Sequence, residues 1–344
     1  MTAAPTVAEA LVGALGARGV KRIFGVPGGG SSLDIIAATE AHGIDFVLTQ
    51  TETAAVLMAA VGAELSGVPG VAITGVGPGA ASAVNGVAYA ALERAPLLLV
   101  SDCADEEAAV PPHQVFDQRA LFAPLTKATC RLGAEDAGQV IEDMLETAMA
   151  PPPGPVHIDL SARQAATPIT GPTPTLATPA RASPEALPRR EASPRREAPP
   201  PPPPPDPPEA DVAAARALLS RSRRPVIVAG LEAREAAAAA ALGRLLDGLD
   251  CPLMTTYKAK GAVSDRDRRV VGAFTGAKAE ADCVGRADLI LFYGVDPVEL
   301  IPQPWRYRAP LIALSTVAGL PHPTTPAAAL TGPLEASADR LRGA

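Results

Sequence analysis

The sequence predicts an α/β protein of two doubly wound parallel-sheet domains joined by a Pro-rich linker. Three observations carry that expectation. Short apolar runs alternate with alanine-rich amphipathic stretches in both halves of the chain. Between about 165 and 210 the apolar pattern stops and proline takes over. The 344 residues are enough for two ordinary domains and a connector.

The first domain, 1–165, opens with a strand at KRIFGV (21–26) and a helix over 32–43. Strand DFVLTQ (45–50) and a helix over 52–67 follow, then strand GVAITG (70–75), a helix over 79–94 and strand PLLLVSD (96–102). GPVHIDL (154–160) reads as a further strand. Apolar strands alternating with amphipathic helices bury both faces of a parallel sheet. The linker, 166–210, contains RREASPRRE and a run of prolines. It has too little apolar surface to offset the entropy of ordering, so it is expected to be disordered and semi-stiff. The second domain, 211–344, repeats the first pattern: strand 224–230, helix 235–249, and strands 251–256, 287–294 and 309–315.

Composition excludes several functions. Hydrophobic residues make up 47% and aromatics only 3%, so the core is built from Ala, Val, Leu and Ile. A net charge of −7 argues against a nucleic-acid surface, which needs clustered Lys and Arg; the one arginine cluster lies in the linker. Cys103, Cys130, Cys251 and Cys283 have no metal-ligand spacing, and without a signal peptide they read as buried thiols. No apolar run approaches the roughly 20 residues of a membrane span. A soluble cytoplasmic protein is expected.

Ligands of open parallel sheets sit beyond the carboxyl ends of the strands. GVPGGGSS, TQTE and GVGPGA follow the first three strands. The last, with Gly75, Gly77 and Gly79, partly matches a dinucleotide fingerprint, but Pro78 and the missing final spacing depart from it. No acidic residue follows at the ribose-binding distance; Asp102 comes only after about 23 residues. A dinucleotide-binding oxidoreductase therefore ranks last. A glycine-rich turn alone is more often a tight backbone turn than a ligand site. Glu52 is equally explained by the helix dipole, with Thr51 as the cap. On the residues alone, structure and function stay open for both.

FGVPGG, TETAAVLMAAVGAELSGVPGVAITGVGPGAASAVNGVAYAALERAPLLLVSD, HQVFDQRALFAPLTK and GPVHIDL together resemble the N-terminal domain of thiamine diphosphate-dependent enzymes, in particular the acetolactate synthase-like group. RPVIVAG, CPLMTTYKAKG and ADLILFYGVDP resemble, more loosely, the central domain of that family. The resemblance implies that the first domain holds the aminopyrimidine of thiamine diphosphate and that Glu52 is the essential glutamate. Its carboxyl would hydrogen-bond a pyrimidine nitrogen and promote loss of the thiazolium proton, work that a dry, apolar site favours. The resemblance places Pro27, Gly28 and Gly77 beside the cofactor, Gly28 and Gly29 on the substrate side, and Gln114 and His113 in the same pocket. For His113 a loop histidine without a role fits as well.

The family's diphosphate and Mg are held by a third domain with a GDG motif, and the 344 residues contain no GDG. The expectation is therefore a pyrimidine-domain subunit of a split 2-oxo acid decarboxylase or carboligase, a hetero-oligomer built on a dimer. A separate diphosphate-domain subunit would hold the Mg; no metal site is expected on this chain. Departures from the pattern matter. Thr51 replaces the usual histidine before the glutamate, and Ser82 replaces an asparagine. AGLEAR and GVDPVEL replace flavin contacts, so FAD is not expected. A decarboxylase of sulfonated or phosphonated pyruvate is the second enzyme reading. A non-catalytic regulatory or scaffolding relative is the alternative of another class.

Overall fold

The computed structural model describes residues 4–105, 114–170, 205–275 and 280–343, in two compact units divided after Pro200. Most of the predicted linker, 171–204, lies outside the described residues. Its flanks are folded. Val7 N donates to Thr167 O and Ile169 N to Pro5 O, both at 3.0 Å, and Ile169 is buried.

The first unit runs α1 (Val7–Ala17), β1 (Arg22–Val26), α2 (Ser31–Thr39), β2 (Asp45–Leu48), α3 (Glu52–Ser66), β3 (Gly70–Thr74), α4 (Pro78–Leu92) and β4 (Leu97–Cys103). It continues with α5 (Gln118–Phe122), β5 (Ala128–Arg131), α6 (Ala137–Met149), β6 (Pro155–Ser161) and α7 (Ala162–Ala166). The strands pair in parallel in the order β2-β1-β3-β4-β6-β5. All of β3 and β6 and nearly all of β4 are buried, as a sheet covered on both faces requires. One core layer packs α1, α2 and α6 on the sheet; the other is an alanine layer from α3 and α4. The α1 start carries a capping box, with Thr6 and Glu9 exchanging hydrogen bonds at 2.8 and 3.2 Å.

The second unit runs α8 (Glu209–Leu219), β7 (Pro225–Ala229), α9 (Ala236–Leu249), β8 (Leu253–Thr255), β9 (Val270–Ala273) and α10 (Ala281–Val284). After these come β10 (Leu289–Tyr293), β11 (Leu311–Ser315), β12 (Ala328–Thr331) and α11 (Leu334–Leu341). Its sheet is also parallel throughout, in the order β12-β11-β10-β7-β8-β9. The two-domain α/β architecture read from the sequence is the one observed.

In this second sheet the strand order reverses between β7 and β10, the place where doubly wound sheets bind ligands. Two glutamates fill it. Glu299 accepts from Leu231 N (2.8 Å), Asp296 N (3.0 Å) and Thr256 Oγ1 (2.5 Å). Glu232 accepts from Ser315 Oγ and Thr316 N, both at 2.7 Å. Gly230 is crossed so closely that a Cβ there would lie 2.3 Å from Val295 Cα and 2.8 Å from Glu299 Oε1.

Burial raises the pKa of both carboxyls, against the pull of those hydrogen bonds. A carboxyl raised above its unfolded value contributes stability that is full below the unfolded pKa and lost as pH rises through the folded one. The unfolding free energy of the native chain minus that of Glu299→Gln should therefore decrease as pH rises from 4.5. Urea titrations at several pH values give that difference. An increase with pH would reverse the assignment.

Among the described residues no helix is long and apolar enough to cross a membrane, and no group of three or more His, Cys, Asp or Glu could hold a metal ion. The four cysteines are unpaired, and Cys251 alone is fully buried. Cys103, Cys130 and Cys283 are half-buried, so the buried-thiol reading holds for one of the four.

Candidate active site at the strand ends of the first unit

The sheet of the first unit reverses order between β1 and β3, and the turns after these strands meet there. A Cβ on Gly28 would lie 3.0 Å from Gly75 Cα and 2.3 Å from Asp102 Oδ2. The space left by Gly28 is taken by Asp102. This buried aspartate ends the apolar run of β4 and turns into the amides that open α2. Gly30 N donates to its Oδ2 at 3.1 Å and Ser32 Oγ at 2.9 Å. Ser32 N and Ser31 Oγ donate to its Oδ1 at 2.8 and 2.7 Å. A helix N-terminus in a glycine turn is an anion site. Here the anion belongs to the chain.

Glu52 is built differently. It is the first residue of α3, with Thr51 as the cap: the Thr51 hydroxyl accepts from Ala54 N at 3.1 Å. The glutamate is half-buried, and its Oε1 would be 3.3 Å from a Cβ on Gly79. Among the described residues no group donates a hydrogen bond to the Glu52 carboxylate. Asp102, Glu232 and Glu299 are saturated by their own backbone and hydroxyls; Glu52 presents an open acceptor at a glycine wall.

Gly77 caps α4 with φ +58° and ψ −102°, a conformation that favours glycine. A Cβ there would coincide with the Gln114 carbonyl. Gln114 therefore meets Gly77 through its backbone, with φ +63°, while its side chain is exposed. Pro27 is half-buried beyond β1, and Gly29 is exposed with open space around it. His113 lies outside the described residues. The structure thus brings Glu52 to Gly79 and Gly77 to Gln114.

Sequence reading missed the polar network beneath these turns. Gln118, 3% exposed, accepts from Gly77 N at 2.6 Å and donates to Asp159 Oδ1 at 2.6 Å and to Asp102 O at 3.2 Å. Fully buried His157 bridges Ser101 Oγ (3.1 Å) and Thr129 Oγ1 (2.9 Å) across the strands. Burial, helped by Arg119, pushes its pKa down to about 3, so the ring is neutral. Burial also pushes Asp159 up, against the pull of the Gln118 hydrogen bond. The signal was present in GPVHIDL, where two ionisable residues interrupt an apolar strand. A cleft of about 420 Å³ lies beside this network, lined among others by Val76, Cys103, Gln118, Arg119 and Arg131. Burial raises the Cys103 thiol to about 12, which rules out a thiolate there near neutrality.

The first unit is an open parallel sheet with glycine turns at its strand ends and, among the described residues, the Glu52 carboxylate without a hydrogen-bond donor beside them. Residues 5–121 match the family model described as thiamine pyrophosphate enzyme, N-terminal TPP binding domain; residues 212–315 match that of the central domain. The two matches together cover more than half of the chain, which belongs to the thiamine pyrophosphate enzyme family. It is 30% identical over 312 residues to a probable 2-ketoarginine decarboxylase of Pseudomonas aeruginosa, covering 89% of this chain and 51% of that protein. It is 29% identical over 307 residues to a probable acetolactate synthase large subunit of Methanocaldococcus jannaschii, covering 88% and 49%. An acetolactate synthase of Bacillus subtilis is 25% identical over 305 residues, covering 87% and 49%. The chain spans about half the length of these curated relatives.

Proposed function

We propose that this chain supplies the pyrimidine half of a thiamine diphosphate site in a 2-oxo acid decarboxylase or carboligase. The diphosphate and Mg would be held by a separate subunit. The observation that carries the reading is the open Glu52 carboxylate, set among neighbours that the chain itself satisfies. The residues fit the group: a half-buried carboxyl beside a glycine wall suits a flat ring bearing a nitrogen with which it can share a proton. When bound, the cofactor would supply a carbon acid whose deprotonated form is the nucleophile for the 2-oxo carbonyl. Glu52 would hold the proton shared with the ring nitrogen. Gly79 leaves room for its carboxyl, and the alanine layer of α3 and α4 keeps water away behind it.

An exposed apolar stripe supports the partner. Met58, Val61 and Leu65 stand 46%, 42% and 85% exposed on α3, the helix that Glu52 begins. Their spacing places them on one face, available to a covering subunit. Flavin is not part of the proposal. AGLEAR and GVDPVEL contribute Glu232 and Glu299 to the second switch point, where the backbone amides are already engaged. The isolated chain should bind thiamine diphosphate weakly and turn nothing over, because a charged Mg–diphosphate anchor dominates such affinity. Calorimetry with and without Mg tests this. Tight Mg-dependent binding to the isolated chain would overturn the split-site reading.

A further inference from the structure

We infer that Gln118 is a positioning residue, holding the Gly77–Gly79 turn in register with the Glu52 carboxylate. The inference rests on the pyrimidine-site reading of Glu52. Gln118 is the point where three strand-end segments join. Its Oε1 accepts the Gly77 amide, and its Nε2 reaches both the Asp159 carboxylate of β6 and the Asp102 carbonyl of β4. Each of its contacts goes to a group with a second task. Gly77 caps α4, and two residues on Gly79 faces Glu52 Oε1. Asp102 clamps the turn that opens α2. Asp159 lies beside His157, whose ring ties β4 to β5.

An amide side chain is the one uncharged group that can take a backbone N–H at one end and donate to a carboxylate and a carbonyl at the other. Glutamate in its place would set a second carboxylate against Asp159. A hydrophobe would leave the buried Gly77 amide without its acceptor and Asp159 without its amide donor. Asparagine is one methylene short of spanning the two.

Gln118→Met keeps length and volume and removes every hydrogen bond. Hydrogen exchange in the full chain should show the Gly77 amide opening about tenfold faster, with the β4 and β6 amides unchanged. In the enzyme assembled with its diphosphate-binding subunit, thiamine diphosphate and Mg, exchange of the thiazolium C2 proton should slow by about tenfold or more. The KM for cofactor should stay near its native value. If Gln118→Met does not fold, Gln118→Asn carries the same two measurements. Native protection of Gly77 would sink the inference; so would a freed Gly77 amide with C2 exchange at the native rate, which marks a purely structural residue. Native C2 exchange in Glu52→Gln would instead remove the reading beneath it, so the two failures are distinguishable.

Discussion

Glu52→Gln should slow exchange of the thiazolium C2 proton in the assembled enzyme by roughly a hundred- to ten-thousand-fold, the range general acid–base groups supply. Glutamine keeps the shape and reach of the side chain and cannot share a proton with a ring nitrogen. Stability should change little. A first-turn glutamate contributes about 0.3–1 kcal/mol through the helix dipole, and the Thr51 cap is untouched. The competing account, in which Glu52 only favours the helix, expects a small stability loss with C2 exchange at the native rate. Deuterium exchange followed by NMR, with the proposed diphosphate-binding subunit and Mg present, separates the two.

Asp102→Ala should be the most destabilising single change in the first unit, by roughly 3–5 kcal/mol. It strips acceptors from two backbone amides and two hydroxyls around a buried carboxylate. Alanine leaves the buried Ser31 hydroxyl and Ser32 amide without that acceptor. Asp102→Asn retains one acceptor and turns an NH2 toward the others, so its loss should be smaller. Urea unfolding followed by circular dichroism measures both. A loss under about 1 kcal/mol for the alanine variant would mean that the turn stands without its clamp.

The framework was legible because its central strands are unambiguous: GVAITG, PLLLVSD, GPVHIDL and ADLILFYG are too apolar to be anything but buried. Less visible were the edges. β5, β9 and β12 are four-residue strands with Arg, Gly or Ala in place of large apolar side chains, and an edge strand half-covered by the fold needs no stronger pattern. Of the site, Glu52 and its glycine neighbours could be read because they follow strands directly. Asp102 could not. Its partners are 70 to 72 residues away, and nothing local to PLLLVSD announces them. Gln118 was missed for the same reason: the resemblance was read on Gln114, four residues earlier, whereas the contacts of Gln118 form only where β3, β4 and β6 end together.

The carboxylates of Asp102 and Glu299 have a bearing on ligand competition. A tethered carboxyl group faces its amides at an effective concentration on the order of millimolar or higher. Free phosphate, sulfate or a nucleotide tail must displace that group before gaining a single hydrogen bond. Both turns are consequently preorganised by the fold, and any ligand would meet walls whose ordering entropy was spent during folding. Binding here can be shaped by these turns without being powered by them.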